Sequence, residues 1–150
     1  MSRLRATPGR YRLVVWAIAS IYALGSLVHL AFWVSDPGIY ERFGELALLD
    51  AYGSLWEILV VPRLGLLLPL VVVFEAGIAL SILRPGRTAR RGHLAGVLFQ
   101  LGLAPSGPWG PINIALAWGH WRLARAAGVA ATSEASTTAE PEHSVGTSRQ

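Results

Sequence analysis

The chain has 150 residues, of which 53% are hydrophobic and 15% charged, and its mean hydropathy is +0.45. Soluble globular chains carry about 25% charged residues, so this composition argues against an ordinary soluble domain and favours an integral membrane protein. Cysteine is absent, which excludes disulfides, thiolate metal ligands and thiol redox chemistry by the chain itself. Its basic side chains are all arginine, giving a net charge of +4 that we interpret as a topology and lipid-headgroup signal, not a nucleic-acid footprint.

The first predicted helix covers residues 13–34 and follows a start that carries four arginines and no acid. It is about twice as long as the apolar core of a typical signal peptide, so we expect it to be retained. Tyr22, Ser26, His29 and Trp33 repeat at i, i+4, i+7 and i+11, which places them on one helical face. That face is expected to point into a bundle.

An acidic segment, 35–63, follows with five acids against two arginines. Because positively charged flanks stay in the cytoplasm, this contrast predicts a cytoplasmic N-terminus and an external segment. Ile39, Phe43, Leu46 and Ala47 repeat at helical spacing between the acids. They predict a short amphipathic helix on the membrane surface.

The second predicted helix, 64–83, is almost wholly apolar and carries a single carboxylate, Glu75. Twenty residues span the roughly 30 Å hydrocarbon core, where an ionised carboxylate costs several kcal/mol without a partner. Two interpretations stay open: Glu75 either holds neighbouring helices together, or acts as an acid, base or ligand-binding group. Pro69 predicts a kink in this helix.

An arginine-rich loop separates helix two from a short third helix over 92–104, and a Pro/Gly-rich turn leads to a fourth over 112–121. The charges alternate as a four-span topology requires. The sequence therefore predicts an all-α, multi-pass, four-helix integral membrane bundle over 1–128, in a bacterial-type cytoplasmic membrane, with both termini cytoplasmic. A polar tail over 129–150 is predicted to be disordered.

Polar groups in the predicted bundle interior form the candidate site. Rise per residue places Glu75 and Gln100 near mid-membrane, with His29 and Asn113 further toward the outer side. We interpret Glu75 and His29 as candidate catalytic, proton-carrying groups, and the candidate cofactor-binding residues are Tyr22, Gln100, Trp109 and Asn113. A lone membrane histidine is, as an alternative, commonly an interhelical hydrogen-bond partner.

No metal site is predicted from the histidines. His29 and His120 are expected at opposite leaflets, His93 at a loop and His143 in the tail, so no two of them share an ion. Common soluble enzyme motifs such as GxxxxGK, GxGxxG, HExxH and GxSxG are also absent from the sequence.

Several motifs resemble those of the DoxX-like four-helix membrane proteins over residues 12–125. They are Gly25-x-x-x-His29, Asp36-Pro37-x-x-Tyr40, Phe74-Glu75-Ala76-Gly77-Ile78 and Pro111-x-Asn113-Ile114. The resemblance implies a left-handed four-helix bundle that serves as a membrane subunit of a quinone-linked sulfur or thiol oxidation system.

Three functional classes remain open. The first is a membrane subunit or anchor of a redox assembly, holding a quinone or other isoprenoid lipid and contacting a redox enzyme as well as the bilayer. The second is a membrane protein that binds or modifies a small lipid, with Glu75 and His29 transferring protons. The third is a structural membrane protein without chemistry. Nucleic acid is not an expected partner.

Overall fold

The structure, a computed structural model, describes residues 8–138 and the side chains of residues 9–128. All regular structure in this range is helical, as predicted. The α-helices are α1 (Pro8–Ser35), α2 (Arg42–Glu45), α3 (Asp50–Leu55), α4 (Leu64–Ile82), α5 (Gly86–Leu103) and α6 (Gly110–Thr138). A π-helical turn, Trp56–Val60, and a 3-10 turn, Val61–Arg63, join α3 to α4 without a break.

Two helices of the described range are long and apolar enough to cross a membrane, Gly9–Ser35 with 27 residues and Asp50–Ile82 with 33. At about 1.5 Å per residue, the shorter one exceeds the roughly 30 Å hydrocarbon core. Large apolar side chains point away from the protein on both helices, for example Leu13, Val34 and Val73. Apolar surface of this extent is typical of contact with lipid or with another protein.

The long helices pack in chain order, α1 against α4, α4 against α5, and α5 against α6. The ring of Tyr22 on α1 also meets His120 on α6 edge-on, at 5.3 Å between centroids. We call the end where α1 and α5 begin and α4 ends the arginine end, since exposed arginines surround it. The opposite end, with residues 36–63 and 104–109, is the loop end.

Each end has its own buried core. At the arginine end, α1 contributes Val15, Ile18, Ala19 and Tyr22, and α4 contributes Ile78, Ala79 and Ile82. At the loop end, Tyr40 packs against Leu64 and Leu68 at the start of α4. Between these two clusters, α1 and α4 face each other through polar side chains.

The apolar run of helix two is confirmed to be helical, because α4 covers Leu64–Ile82 and includes Pro69. The predicted start of helix three is wrong, because α5 begins at Gly86. Gly86 has a φ of 63° and lies at the end of the turn that follows α4. Arginine is a good helix former, so the basic run continues the helix instead of forming a loop.

Helix four also extends beyond its predicted range, since α6 runs from Gly110 to Thr138. Alanine is frequent after residue 123 and favours propagation of the helix. The expected surface helix consists of two short turns, Pro37–Tyr40 and Arg42–Glu45. Residues 129–138 of the predicted disordered tail are helical and belong to α6, whereas residues 139–150 lie outside the described range. Disorder of that remainder stays a prediction, as do the four-helix membrane bundle and its orientation.

Candidate functional site

Glu75 lies in the contact between α4 and α1, with 6% of its surface exposed. Its carboxylate is held against Gly25, where an added Cβ would come within 3.0 Å of Oε2. The missing side chain of Gly25 therefore makes the space that the carboxylate occupies. The i, i+4 spacing of Gly25 and His29 on α1 then places the histidine one turn further along the same face.

His29 connects this carboxylate to the loop end. Its Nε2 lies 3.7 Å from Oε2 of Glu75, and its Nδ1 is hydrogen-bonded to the hydroxyl of Tyr40. When the tyrosine donates to Nδ1, the imidazole carries its own hydrogen on Nε2, facing the carboxylate. The three side chains thus form an acid–base line, with a histidine between a phenol and a carboxylate.

Tyr40 reaches His29 because the chain turns back after α1 at Asp36 and Pro37. The backbone carbonyl of Tyr40 accepts a hydrogen bond of 2.8 Å from Nε1 of Trp56, which fixes the turn against the start of the following helix. Burial, and secondly the charge of Glu75, raise the pKa of Tyr40 to about 12. The phenol is therefore a hydrogen-bond donor throughout the physiological pH range.

A cavity of about 370 Å³ lies at the loop end, next to this line. Its polar wall includes His29, Tyr40 and Asn113, and the indoles of Trp56 and Trp109 line other sides. Most other lining side chains are aliphatic or aromatic. A mostly apolar space with a few converging polar groups is the usual form of a small-molecule site, and this volume falls within the common range of about 300–1,000 Å³.

Asn113 is fixed near the start of α6. Its side-chain amide donates a hydrogen bond of 3.0 Å to the carbonyl of Leu103, at the end of α5. This bond joins the two helices across the turn that separates them and satisfies a carbonyl of the last turn of α5. Asn113 of α6 and His29 of α1 line the same cavity.

Gln100 and Tyr22 form a second, deeper pair. The amide Nε2 of Gln100 donates a hydrogen bond of 2.9 Å to the hydroxyl of Tyr22, and both side chains are buried. The structure therefore divides the six predicted site residues into two groups. His29, Trp109 and Asn113 line the cavity, and Tyr22, Glu75 and Gln100 lie outside its lining.

No family model, curated protein or solved structure matches this chain.

The expected position of His93 is wrong. His93 belongs to α5, not to a loop, and its Nδ1 lies 3.0 Å from Nδ1 of His120 on α6. Both histidines have 0% of their surface exposed. The sequence does contain a signal for the buried position of His93. In a helix that begins at Gly86, the i, i+3, i+7 spacing of His93, Gly96 and Gln100 places the three residues on one face.

Tyr40 and Trp56 are also part of the site, although neither was predicted to belong to it, and as aromatic residues next to a membrane span they indicate by type only a membrane-interface position. Their contribution depends on the turn at Asp36 and on the hydrogen bond between them, which no periodic pattern encodes. Among the described residues, no group of three or more His, Asp or Glu side chains is placed to hold a metal ion.

Proposed function

We propose that the chain is a multi-pass helical membrane protein whose loop-end cavity binds the polar head of an isoprenoid quinone or a chemically similar lipid. The observation that carries this proposal is the cavity itself, an apolar space with His29, Tyr40 and Asn113 at its wall. An imidazole, a phenol and an amide are suited to hydrogen-bond the carbonyl or hydroxyl oxygens of such a head. The aliphatic lining suits its hydrocarbon part.

The acid–base line supports proton exchange with the bound head. A proton leaving or entering an oxygen of the ligand passes through the Tyr40 hydroxyl to Nδ1 of His29, whose other ring nitrogen faces Glu75. A histidine placed between a phenol at the cavity wall and a buried carboxylate can pass a proton from one to the other. Oriented acid–base groups beside an apolar cavity favour this function over a purely structural role.

The sequence resemblance supports a proposed role for the protein in the cell. A DoxX-like protein with this cavity would serve as the quinone-binding or lipid-binding membrane subunit of a redox-associated assembly, with electron transfer carried by a partner enzyme. A second candidate is a stand-alone enzyme that modifies a lipid. The line of Tyr40, His29 and Glu75 also favours a lipid-modifying enzyme, because these three side chains form a complete acid–base set.

Native mass spectrometry of the full chain, gently purified from its membrane, tests the proposal. We expect the wild type to retain a lipid that organic extraction releases and that His29→Ala and Asn113→Ala lose. Ser26→Ala is the matched control, since Ser26 bonds to the carbonyl of Val72 and does not line the cavity. Equal lipid retention by all four proteins would contradict the proposal, and conversion of the lipid by the purified chain alone would favour the lipid-modifying enzyme.

A further inference from the structure

A second set of buried polar groups lies between the cavity and the arginine end. Its core is the His93–His120 pair, two fully buried imidazoles with their Nδ1 atoms 3.0 Å apart. One of the two must donate and the other accept, so they share a proton along this contact. Neither Nε2 has a hydrogen-bond partner among the described residues.

The pair is built into the helix packing and is not a chance contact. An added Cβ on Gly96 would come within 2.6 Å of the His120 ring, so glycine is what admits the imidazole between α5 and α6. On the other side, the His120 ring meets Tyr22 edge-on. Tyr22 in turn accepts the hydrogen bond of Gln100.

Unpartnered polar atoms continue from the histidine pair toward the cavity. Besides the two imidazole Nε2 atoms, Oε1 of Gln100 and Oε2 of Glu75 are buried without a hydrogen-bond partner in the described part of the protein. Buried polar atoms of this kind are generally met by ordered water. The placement of these groups follows α1, because Tyr22 meets His120 and Gln100, and Gly25, about one turn further, lies against the Glu75 carboxylate beside His29.

Helix geometry gives the length of this series. Seven residues separate His93 from Gln100 on α5, and seven separate Tyr22 from His29 on α1. At 1.5 Å per residue, the two stretches together cover about 21 Å, or some two-thirds of a 30 Å hydrocarbon core. The series therefore extends from the cavity to within about 10 Å of the start of α5 at Gly86.

The arginines nearest to the histidine pair contact tryptophan rings or are exposed. The guanidinium groups of Arg122 and Arg125 lie over the rings of Trp118 and Trp121, each 4.9 Å from the centroid. Arg90 and Arg91 on α5 are exposed. Within the part of the chain that the structure describes, the titratable groups that face the pair from the helices packed on it are Tyr22 of α1 and, beyond it, Glu75 of α4.

We propose that the His93–His120 pair is the inner end of a proton-transfer route that runs through Tyr22 to Glu75 and the cavity. This inference rests on the membrane placement in the proposed function and adds a proton supply to its site. In one step, an Nε2–H of the pair gives its proton to an ordered water, the water gives a proton to the Tyr22 oxygen, and Tyr22 passes its own proton, again by way of water, to the Glu75 carboxylate. Water that enters from the arginine end then returns a proton to the pair; the cycle moves protons only, and no group is oxidised or reduced.

Proton flux into liposomes that contain the full chain tests the route, with a potassium diffusion potential as the driving force and an internal pH dye as the readout. Tyr22→Phe removes the hydroxyl but keeps the ring against His120, and we expect it to slow the flux at least about tenfold, as for loss of a positioned proton-transfer group. His93→Gln should do the same. Tyr11→Phe, a tyrosine that packs on the same core cluster, should leave the flux unchanged.

Lipid retention measured on the same preparations separates this inference from the proposed function. A wild type that binds lipid but carries no more protons than empty liposomes would overturn the route and leave the lipid site standing. Flux that depends on Tyr22 in a protein without bound lipid would support the route and overturn the lipid site. Wild-type flux in Tyr22→Phe would overturn the route whatever the lipid result.

Discussion

The Nε2 atom of His29 lies 3.7 Å from Oε2 of Glu75, across the contact between α1 and α4. His29 lines the cavity and Glu75 lies behind it, so a substitution at either residue alters the surroundings of the other. Gly25, one turn before His29, supplies the space in which the carboxylate lies. The polar site is therefore part of the packing of α1 against α4.

Gly25→Ala is expected to destabilise the protein by about 1–3 kcal/mol, the usual effect of overpacking a close contact. The new Cβ would come within 3.0 Å of the Glu75 carboxylate, which must then move. Gly77→Ala on α4 is the matched control, because nothing lies within 4 Å of its added Cβ, and it should be neutral or stabilising by about 0.5–1 kcal/mol. Thermal unfolding of the two purified variants in detergent measures both effects. If Gly25→Ala were as stable as Gly77→Ala, the carboxylate could not lie against Gly25.

Glu75→Gln separates a structural from a functional role of the carboxylate. The amide keeps the shape and can still hydrogen-bond, so we expect unfolding stability within about 1 kcal/mol of the wild type. It cannot take up a proton, so proton flux in liposomes should fall to the background level. A variant that unfolds, or one that keeps its flux, would show that Glu75 only holds the helices together.

The raised pKa of Tyr40 predicts a loss of stability in alkaline solution. A free tyrosine ionises near pH 10, whereas burial, followed by the charge of Glu75, raises the pKa of Tyr40 to about 12. Between these values the unfolded chain releases a proton that the folded chain keeps, so the free energy of unfolding falls as the pH rises from about 10 to about 12.

Tyr40→Phe tests this pH dependence. It should be less stable than the wild type at neutral pH by about 1 kcal/mol, because the bond to His29 is lost. The difference should shrink between about pH 10 and pH 12, as the wild type alone loses the contribution of this phenol. A constant difference across that range would contradict the assigned burial of the hydroxyl.

Single cysteines in this cysteine-free chain test the predicted topology. Thr88 and Ala51 are both exposed, so a cysteine at either position can be labelled. The neighbouring Ala89 is buried, and a cysteine there would react poorly with the reagent. In intact cells, an impermeant thiol reagent should label Ala51→Cys, at the predicted outer side, and not Thr88→Cys. Permeabilised cells provide the control in which both react. The reverse pattern would invert the orientation inferred from the arginines.

The elements that were predictable are those with strong local signals. α4 was found within one residue, because a continuous apolar run lies between Arg63 and the Pro85-Gly86 turn. The start of α5 was missed because clustered arginines were interpreted as a loop, although arginine also favours helix and the Gly86 turn marks the true start.

The pairings inside the site were only partly predictable. The shared face on α1 predicted that four side chains point inward, those of Tyr22, Ser26, His29 and Trp33. The structure places the first three against partners outside α1, whereas Trp33 is 39% exposed. The pairing of His93 with His120 depends on how α5 and α6 align, which residue spacing within one helix does not encode. Tyr40 reaches His29 only through the turn that follows α1.

The most direct test of the proposed function is a titration of the purified, delipidated full chain with a short-chain ubiquinone analogue, followed by tryptophan fluorescence. Trp56 and Trp109 line the cavity, so a bound quinone should quench their emission in a saturable way. Trp109→Phe should remove part of the saturable signal, and Val71→Phe, which fills the cavity, should abolish it. Quenching that is linear with quinone concentration, and equal in the wild type and Val71→Phe, would contradict binding in this cavity.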